Sequence, residues 1–458
     1  MRLTFKIALV SALVMMLSAS LLAGKRARKL PADAYVKSAK IEILSGDIER
    51  YKTAEAMLDS LFMHYGPHAE ALNLMGAIYV DYTDKEPDPV AKYAYIEKLV
   101  TTYDSLRATC DNKEVKKKYR KDCDKLAEKA DSTEIKYWRE FYNAGIEQLN
   151  YSQELSQQLE TVTDSITRAY SEKSLHANID SCIANMRLAI VIDPTRYDPY
   201  LACGSAYEYA KDYDSAIVWL AKGLDKVADR KTLVLQIAYD YIRMDKYAEA
   251  IPYFKEYVEL APDDAATMYN LSICYNNNQM YDSAVAVYHK ILVVDPENTD
   301  VITGVGRYFN QVARLASDSA TFYRGEGNTE LADIWRGKQQ DAFDSSSTYF
   351  KRVFDLKPDD AFAAEEYGVV EAIKGSYEEA AVAFERLTKL DPDRAENWTW
   401  LGDCYLNLKK FKEAIPAYEK VVELDPASRD IWERLRDLYN EVGDKTKAAA
   451  AEKKISEL

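Results

Sequence analysis

Residues 396–426 read ENWTWLGDCYLNLKKFKEAIPAYEKVVELDP, and this stretch decides the fold. Trp398, Leu401, Gly402 and Tyr405 recur at the three- and four-residue spacing that sets side chains on one face of a helix. Phe411, Ala414, Tyr418 and Val421 form a second such stripe. Gly402 and Ala414 are small, as residues must be where two helix backbones come close. Pro426 cannot continue a helix, and it drives Asp425 out of the helical region. The stretch therefore predicts a hairpin of two helices, with Gly402 facing Ala414.

The pattern recurs. Aligned on the small residue at the eighth place, repeats start at Tyr197, Lys231, Ala265, Thr299, Ala361, Ala395 and Arg429, at intervals of 34 residues with one interval of 62. Gly204, Ala238, Ser272, Gly306, Gly368 and Gly402 hold the eighth place, and Ala216, Ala250, Ala284, Ala380 and Ala414 the twentieth. DYDSA at 212–216 and MYDSA at 280–284 are near-duplicates at one repeat position. Pro262, Pro296, Pro392 and Pro426 close their repeats. This array resembles a tetratricopeptide-repeat (TPR) protein, closely over 197–458 and more loosely over 33–196. The resemblance implies an all-α, right-handed superhelical solenoid with one or more elongated helical hairpins, whose first helices line a concave groove.

Four segments follow: a signal peptide or N-terminal anchor at 1–24, a basic linker at 25–32, an irregular TPR-like region at 33–196 and the TPR array at 197–458. The repeat at 299–360 carries 28 extra residues, which predict longer arms joined at Gly325-Glu326-Gly327-Asn328. Phe322 or Tyr323 is expected to pack with Trp335 between those arms. Glu371 stands where the family carries an aromatic, which predicts a less well packed helix. In the irregular region, a charged helix over 113–129 precedes a separate hairpin. That hairpin's arms are expected to run from 137 to between 160 and 170, and over 175–192.

Composition narrows the function. The chain has 458 residues, 60 basic against 75 acidic, and a net charge of −15. That argues against nucleic acid, whose binding depends on Lys and Arg neutralising phosphates. The lysines clustered over 116–121 are expected to be a solvated face rather than a contact for an anionic surface. The six cysteines include no CxxC pair, so no zinc or redox motif is indicated, and Cys110 and Cys123 are expected to be free thiols. His64 and His68 are separated by Gly66-Pro67, which breaks any shared helix and disfavours a metal site. No HExxH, GxSxG or phosphate loop is present. No enzyme activity, cofactor or metal is expected. An enzyme with its site in 33–196 is the least favoured alternative.

Arg2 and Lys6 precede an apolar run over 7–23 that ends in small residues, the pattern of an export signal or a short membrane anchor. Lys25 stands where a lipoprotein would carry its lipidated Cys, which excludes lipidation there. The expectation is an exported protein, periplasmic or anchored to the inner membrane, acting as a scaffold for a protein partner. A structural subunit of an envelope secretion or assembly machine is the alternative.

Binding is expected on the first helices, at places 2, 5, 9 and 12 of each repeat, which share a face beside the packing stripe. In the middle repeats this face offers Tyr239, Tyr269, Asn276, Arg307 and Asn310, with Arg243 one place further on. Asn both donates to and accepts from an extended backbone, and Tyr and Arg are common interface anchors. Towards the C-terminus the same face carries Glu365, Asp403, Glu433 and Asp437, which predict a preference for a basic segment.

Overall fold

The computed structural model describes residues 31–458, without the side chains of 116–120. The expected signal or anchor, and all but the last two residues of the basic linker, lie outside the described residues. Among the described residues there are twenty helices and no strand. The chain is all-α, as the repeat pattern predicts, and divides into two compact units, Met1–Lys246 and Tyr247–Leu458.

The first unit holds α1 (Ala32–Ile43), α2 (Ile48–Tyr65), α3 (Ala69–Lys85), α4 (Pro89–Asp111), α5 (Lys113–Thr161), α6 (Ser165–Ile192), α7 (Asp198–Tyr209), α8 (Tyr213–Leu224) and α9 (Lys231–Arg243). The second holds α10 (Tyr247–Leu260), α11 (Ala265–Asn277), α12 (Tyr281–Val294), α13 (Thr299–Gly325), α14 (Thr329–Leu356) and α15 (Ala361–Lys374). It ends with α16 (Tyr377–Leu390), α17 (Ala395–Asn407), α18 (Phe411–Leu424), α19 (Arg429–Glu441) and α20 (Lys445–Glu457). Short polar residues start many of them. Asp47, Asp88, Asp164, Asp212, Asp264, Asn298, Asn328 and Asp444 each accept from a backbone N–H of the first helical turn.

The turns inside the repeats obey one rule. Lys211, Asp245, Gln279, Gly375, Lys409 and Gly443 all hold place 15 and all have positive φ, between 55° and 83°. In each, the next N–H reaches back across the helix end, as Asp212 N does to Tyr207 O (3.0 Å) and Lys410 N to Tyr405 O (2.8 Å). The elongated repeat puts Ala313 at this place, inside α13, so the helix runs on. The same turn is made at Gly327 (φ 75°), with Asn328 N bonded to Tyr323 O at 2.9 Å. Arms of 27 and 28 residues result, about four turns longer than their 13- and 14-residue counterparts α11 and α12. Phe322 does not pack between them: it is 62% exposed and meets Tyr323 edge-on.

The eighth-place glycines are cut to fit a different residue from the one expected. A Cβ on Gly402 would lie 2.7 Å from the ring of Tyr418, not against Ala414. Gly204 stands in the same relation to Leu220 (2.7 Å), Gly306 to Phe350 (3.0 Å) and Gly368 to Phe384 (2.9 Å). All four partners hold the same place on the second helix, one turn beyond a small residue, Ala216, Ser346, Ala380 or Ala414. The helix therefore spends its missing side chain on seating a large one, and burying each contributes about 1.5–3 kcal/mol.

Two further expectations are corrected. Residues 113–129 and 137–160 are not separate helices but one helix, α5, of 49 residues. Nothing between them breaks it: 130–136 has neither Gly nor Pro, and the Ser132 and Thr133 hydroxyls donate to carbonyls one turn back. α5 stops at Thr161, and Asp164 then caps α6, ten residues before the expected start. Glu371 does not weaken its helix either. It is buried, accepts from Ser347 and pairs with Lys374 at 3.3 Å. All six cysteines are free and buried.

Candidate binding surfaces

The six residues expected to bind a partner fall in different units, Tyr239 and Arg243 on α9 and the other four on α11 and α13. In the second unit they are close-set and already engaged. Asn276 Nδ2 donates to Tyr288 Oη (2.9 Å), and Asn310 Oδ1 accepts from Ser346 Oγ (2.7 Å). Both bonds tie a first helix to its second helix. The Tyr269 ring lies 6.4 Å from that of Tyr288, and the charge of Arg307 acts on its phenol. Arg307 pairs with Glu366 at 3.2 Å and lies over the Phe362 ring at 4.7 Å. Ser346 Oγ also reaches Gly306 O (3.0 Å), so its one hydrogen is shared between two acceptors. Among the described residues, the Asn276 carbonyl oxygen and the Asn310 NH2 group have no other partner.

The C-terminal carboxylates are also engaged, by the chain's own arginines. Glu365 pairs with Arg394 (3.1 Å), Asp403 with Arg434, Glu433 with Arg429 (3.2 Å) and Asp437 with Arg436 (2.8 Å). A basic segment arriving here would have to displace them, which removes most of the electrostatic gain expected from the sequence.

In the first unit, Arg243 belongs to a cluster the sequence did not reveal. Its Nη1 lies 2.7 Å from Asp240 and 3.2 Å from Glu208, whose other oxygen accepts from Gln236 at 2.9 Å. Asp240 is fully buried, and its Oδ2 has no hydrogen-bond partner among the described residues. Burial, reinforced by the Glu208 charge and opposed by Arg243, pushes the Asp240 carboxyl from 3.8 up to about 7. Between those two values the folded chain keeps a proton that the unfolded chain has lost. Stability of this unit is therefore expected to fall as pH rises from about 4 to 7 and to level off above. Asp240→Asn should flatten that slope in urea titrations followed by circular dichroism at several pH values. An unchanged slope would assign the titration elsewhere.

Reasoning from first helices also missed the other side of the hairpins. On α8, Lys222 stands over the Trp219 ring at 4.0 Å, and on α6, Arg187 lies over Tyr93 at 4.9 Å. The signal in the sequence was Trp219 and Lys222 at helical spacing on a second helix, with Lys226 just beyond its end. Among the described residues, no group of three or more His, Cys, Asp or Glu side chains could hold a metal ion. His64 ends α2 while His68 caps α3.

Residues 336–395 and 374–429 match the family model described as tetratricopeptide repeat, and 208–317 match that of the Psidin N-terminal TPR repeats region. The chain carries tetratricopeptide repeats. Curated relatives cover it only in part. The photosystem I assembly protein Ycf3 of Prochlorococcus marinus (strain MIT 9215) is 28% identical over 95 residues, 20% of this chain and 51% of that protein. Ycf3 of strain NATL2A is 25% identical over 155 residues, 32% of this chain and 81% of that one. The chain thus spans about half the length of the first relative. MamA from Desulfovibrio magneticus RS-1 is similar in structure at 20% identity and a TM-score of 0.33, over 44% of this chain and 98% of that one. No helix among the described residues is long and apolar enough to cross a membrane.

Proposed function

We propose that this TPR chain is a non-catalytic scaffold of the cell envelope, holding an extended or helical segment of a partner protein against its first helices. The observation that carries the reading is the pair Asn276 and Asn310. Each is fixed by a bond to its second helix and keeps one amide group open. Held in this way, an amide can meet a partner's backbone with little further loss of side-chain freedom. Tyr269 and Arg307 supply the aromatic and cationic anchors beside them. Export through residues 7–23, with or without cleavage and without lipidation at Lys25, is part of the proposal. The name of Ycf3, a photosystem I assembly protein, favours a second reading in which the scaffold is a subunit of an envelope assembly machine.

The test compares two double variants. Asn276→Ala with Asn310→Ala removes the open amides. Tyr288→Phe with Ser346→Ala breaks the same two bonds from the second-helix side, together with that of Ser346 to Gly306 O, and leaves the amides in place. Both are expected to lower stability by about 0.5–1.5 kcal/mol per bond. The first should weaken capture of proteins from solubilised native membranes more than the second, which frees the amides but keeps them. Equal capture by the two would remove the first-helix face as the binding site.

A further inference from the structure

The first unit carries a second surface, formed from second helices and unlike the acidic rest of the molecule. A cleft of about 430 Å³ opens between α4, α6 and α8, walled by Tyr93, Val191 and Trp219 and edged by Arg187, Lys222 and Lys226. None of these three cations has an ion-pair partner among the described residues, and each is exposed. Asp225 is the only carboxylate among the described lining residues. At the C-terminal end, by contrast, Arg394, Arg434, Arg429 and Arg436 neutralise four carboxylates. Here two of the cations rest on aromatic faces instead, which orders them without neutralising them. Arg187 and Lys222 line the same cleft.

We propose that this cleft docks an acidic segment of a partner protein, with an apolar or aromatic side chain set between Asp or Glu residues. The apolar walls take the side chain, and the three cations take carboxylates spread along the segment. Arg187 and Val191 come from the last turns of α6, and Lys222 from the last turn of α8. The net charge of −15 disfavours acidic segments at the acidic parts of the surface and so favours this cleft over them. The site is independent of the first-helix face, which lies on other helices and is removed by other substitutions.

Fluorescence anisotropy of the full chain tests this, with a labelled twelve-residue peptide of Glu, Asp and Phe as the probe. A peptide with every acid replaced by Lys is the control. The acidic peptide is expected to bind and to weaken with added salt, since the cations are exposed. Replacing Arg187, Lys222 and Lys226 together by Ser should weaken it about tenfold or more, with the helical spectrum unchanged. Asn276→Ala with Asn310→Ala should leave it as it was, so failure here is distinct from failure of the first-helix reading. The proposal is overturned if the acidic peptide does not bind, if the triple variant binds it equally, or if the Lys peptide binds as well. It is also overturned if inorganic phosphate at a concentration equal to the protein's displaces the peptide, which would make the cleft a phosphate site.

Discussion

Replacing Tyr418 by Ala is expected to destabilise the C-terminal repeats by about 3–5 kcal/mol, the cost of removing a large aromatic from a packed core. The ring is fully buried and fills the space that Gly402 leaves open. Its hydroxyl donates to Asp403 and accepts from Arg434 at 3.2 Å, so truncation also takes one member from a polar network joining α17, α18 and α19. Tyr418→Phe keeps the ring and should cost only about 1 kcal/mol. Gly402→Leu crowds the same contact from the opposite helix and should cost about 1–3 kcal/mol. Stacked repeats need not unfold together, so a single melting midpoint is the wrong measure. Amide hydrogen exchange across α17 to α20 is the right one. Tyr418→Ala should lower protection there by about two to four powers of ten. Unchanged protection would mean that this contact does not hold the hairpin.

A loss of similar size is expected from Lys374→Met. Lys374 is 14% exposed and bonds Asp344 at 3.0 Å and Glu371 at 3.3 Å, while Glu371 is itself 4% exposed. Without the ammonium, Glu371 would be a buried carboxylate facing one hydroxyl, that of Ser347, at a cost of about 3–5 kcal/mol. The second substitution decides the interpretation. Adding Glu371→Leu removes the stranded charge, and Asp344 remains in water at 56% exposure. The double variant should regain most of the loss or exceed the parent, because well-packed apolar residues often match a buried ion pair. If the double variant is as unstable as Lys374→Met, the defect lies in packing and not in an unpaired charge. Urea denaturation of all three chains gives the comparison.

The sequence by itself determined the repeat and its helices. Periodicity is a local property: an apolar stripe at helical spacing, a small residue every 34 and a proline at the close are visible without knowing any neighbour. The same local logic located the elongated hairpin at 299–360. The left-handed turns at place 15 were not legible, because Lys211, Asp245, Gln279 and Lys409 carry no glycine signal. Packing of the two helices imposes that conformation on whatever residue stands there. The long α5 was misread for the opposite reason, a charged composition taken as a boundary where no breaker existed.

What only the tertiary structure decided is which polar groups are already in use. Asn276, Asn310 and Glu365 looked alike in sequence, as polar residues beside a packing stripe. The fold gives each a partner, Tyr288, Ser346 and Arg394 respectively. Among the described residues it leaves Arg187, Lys222 and Lys226 without ion-pair partners, on a face away from the first helices. Spacing fixes which residues share a helix face. Whether a charge or an amide on that face is open depends on side chains brought up by the next helix, which only packing sets within hydrogen-bonding distance.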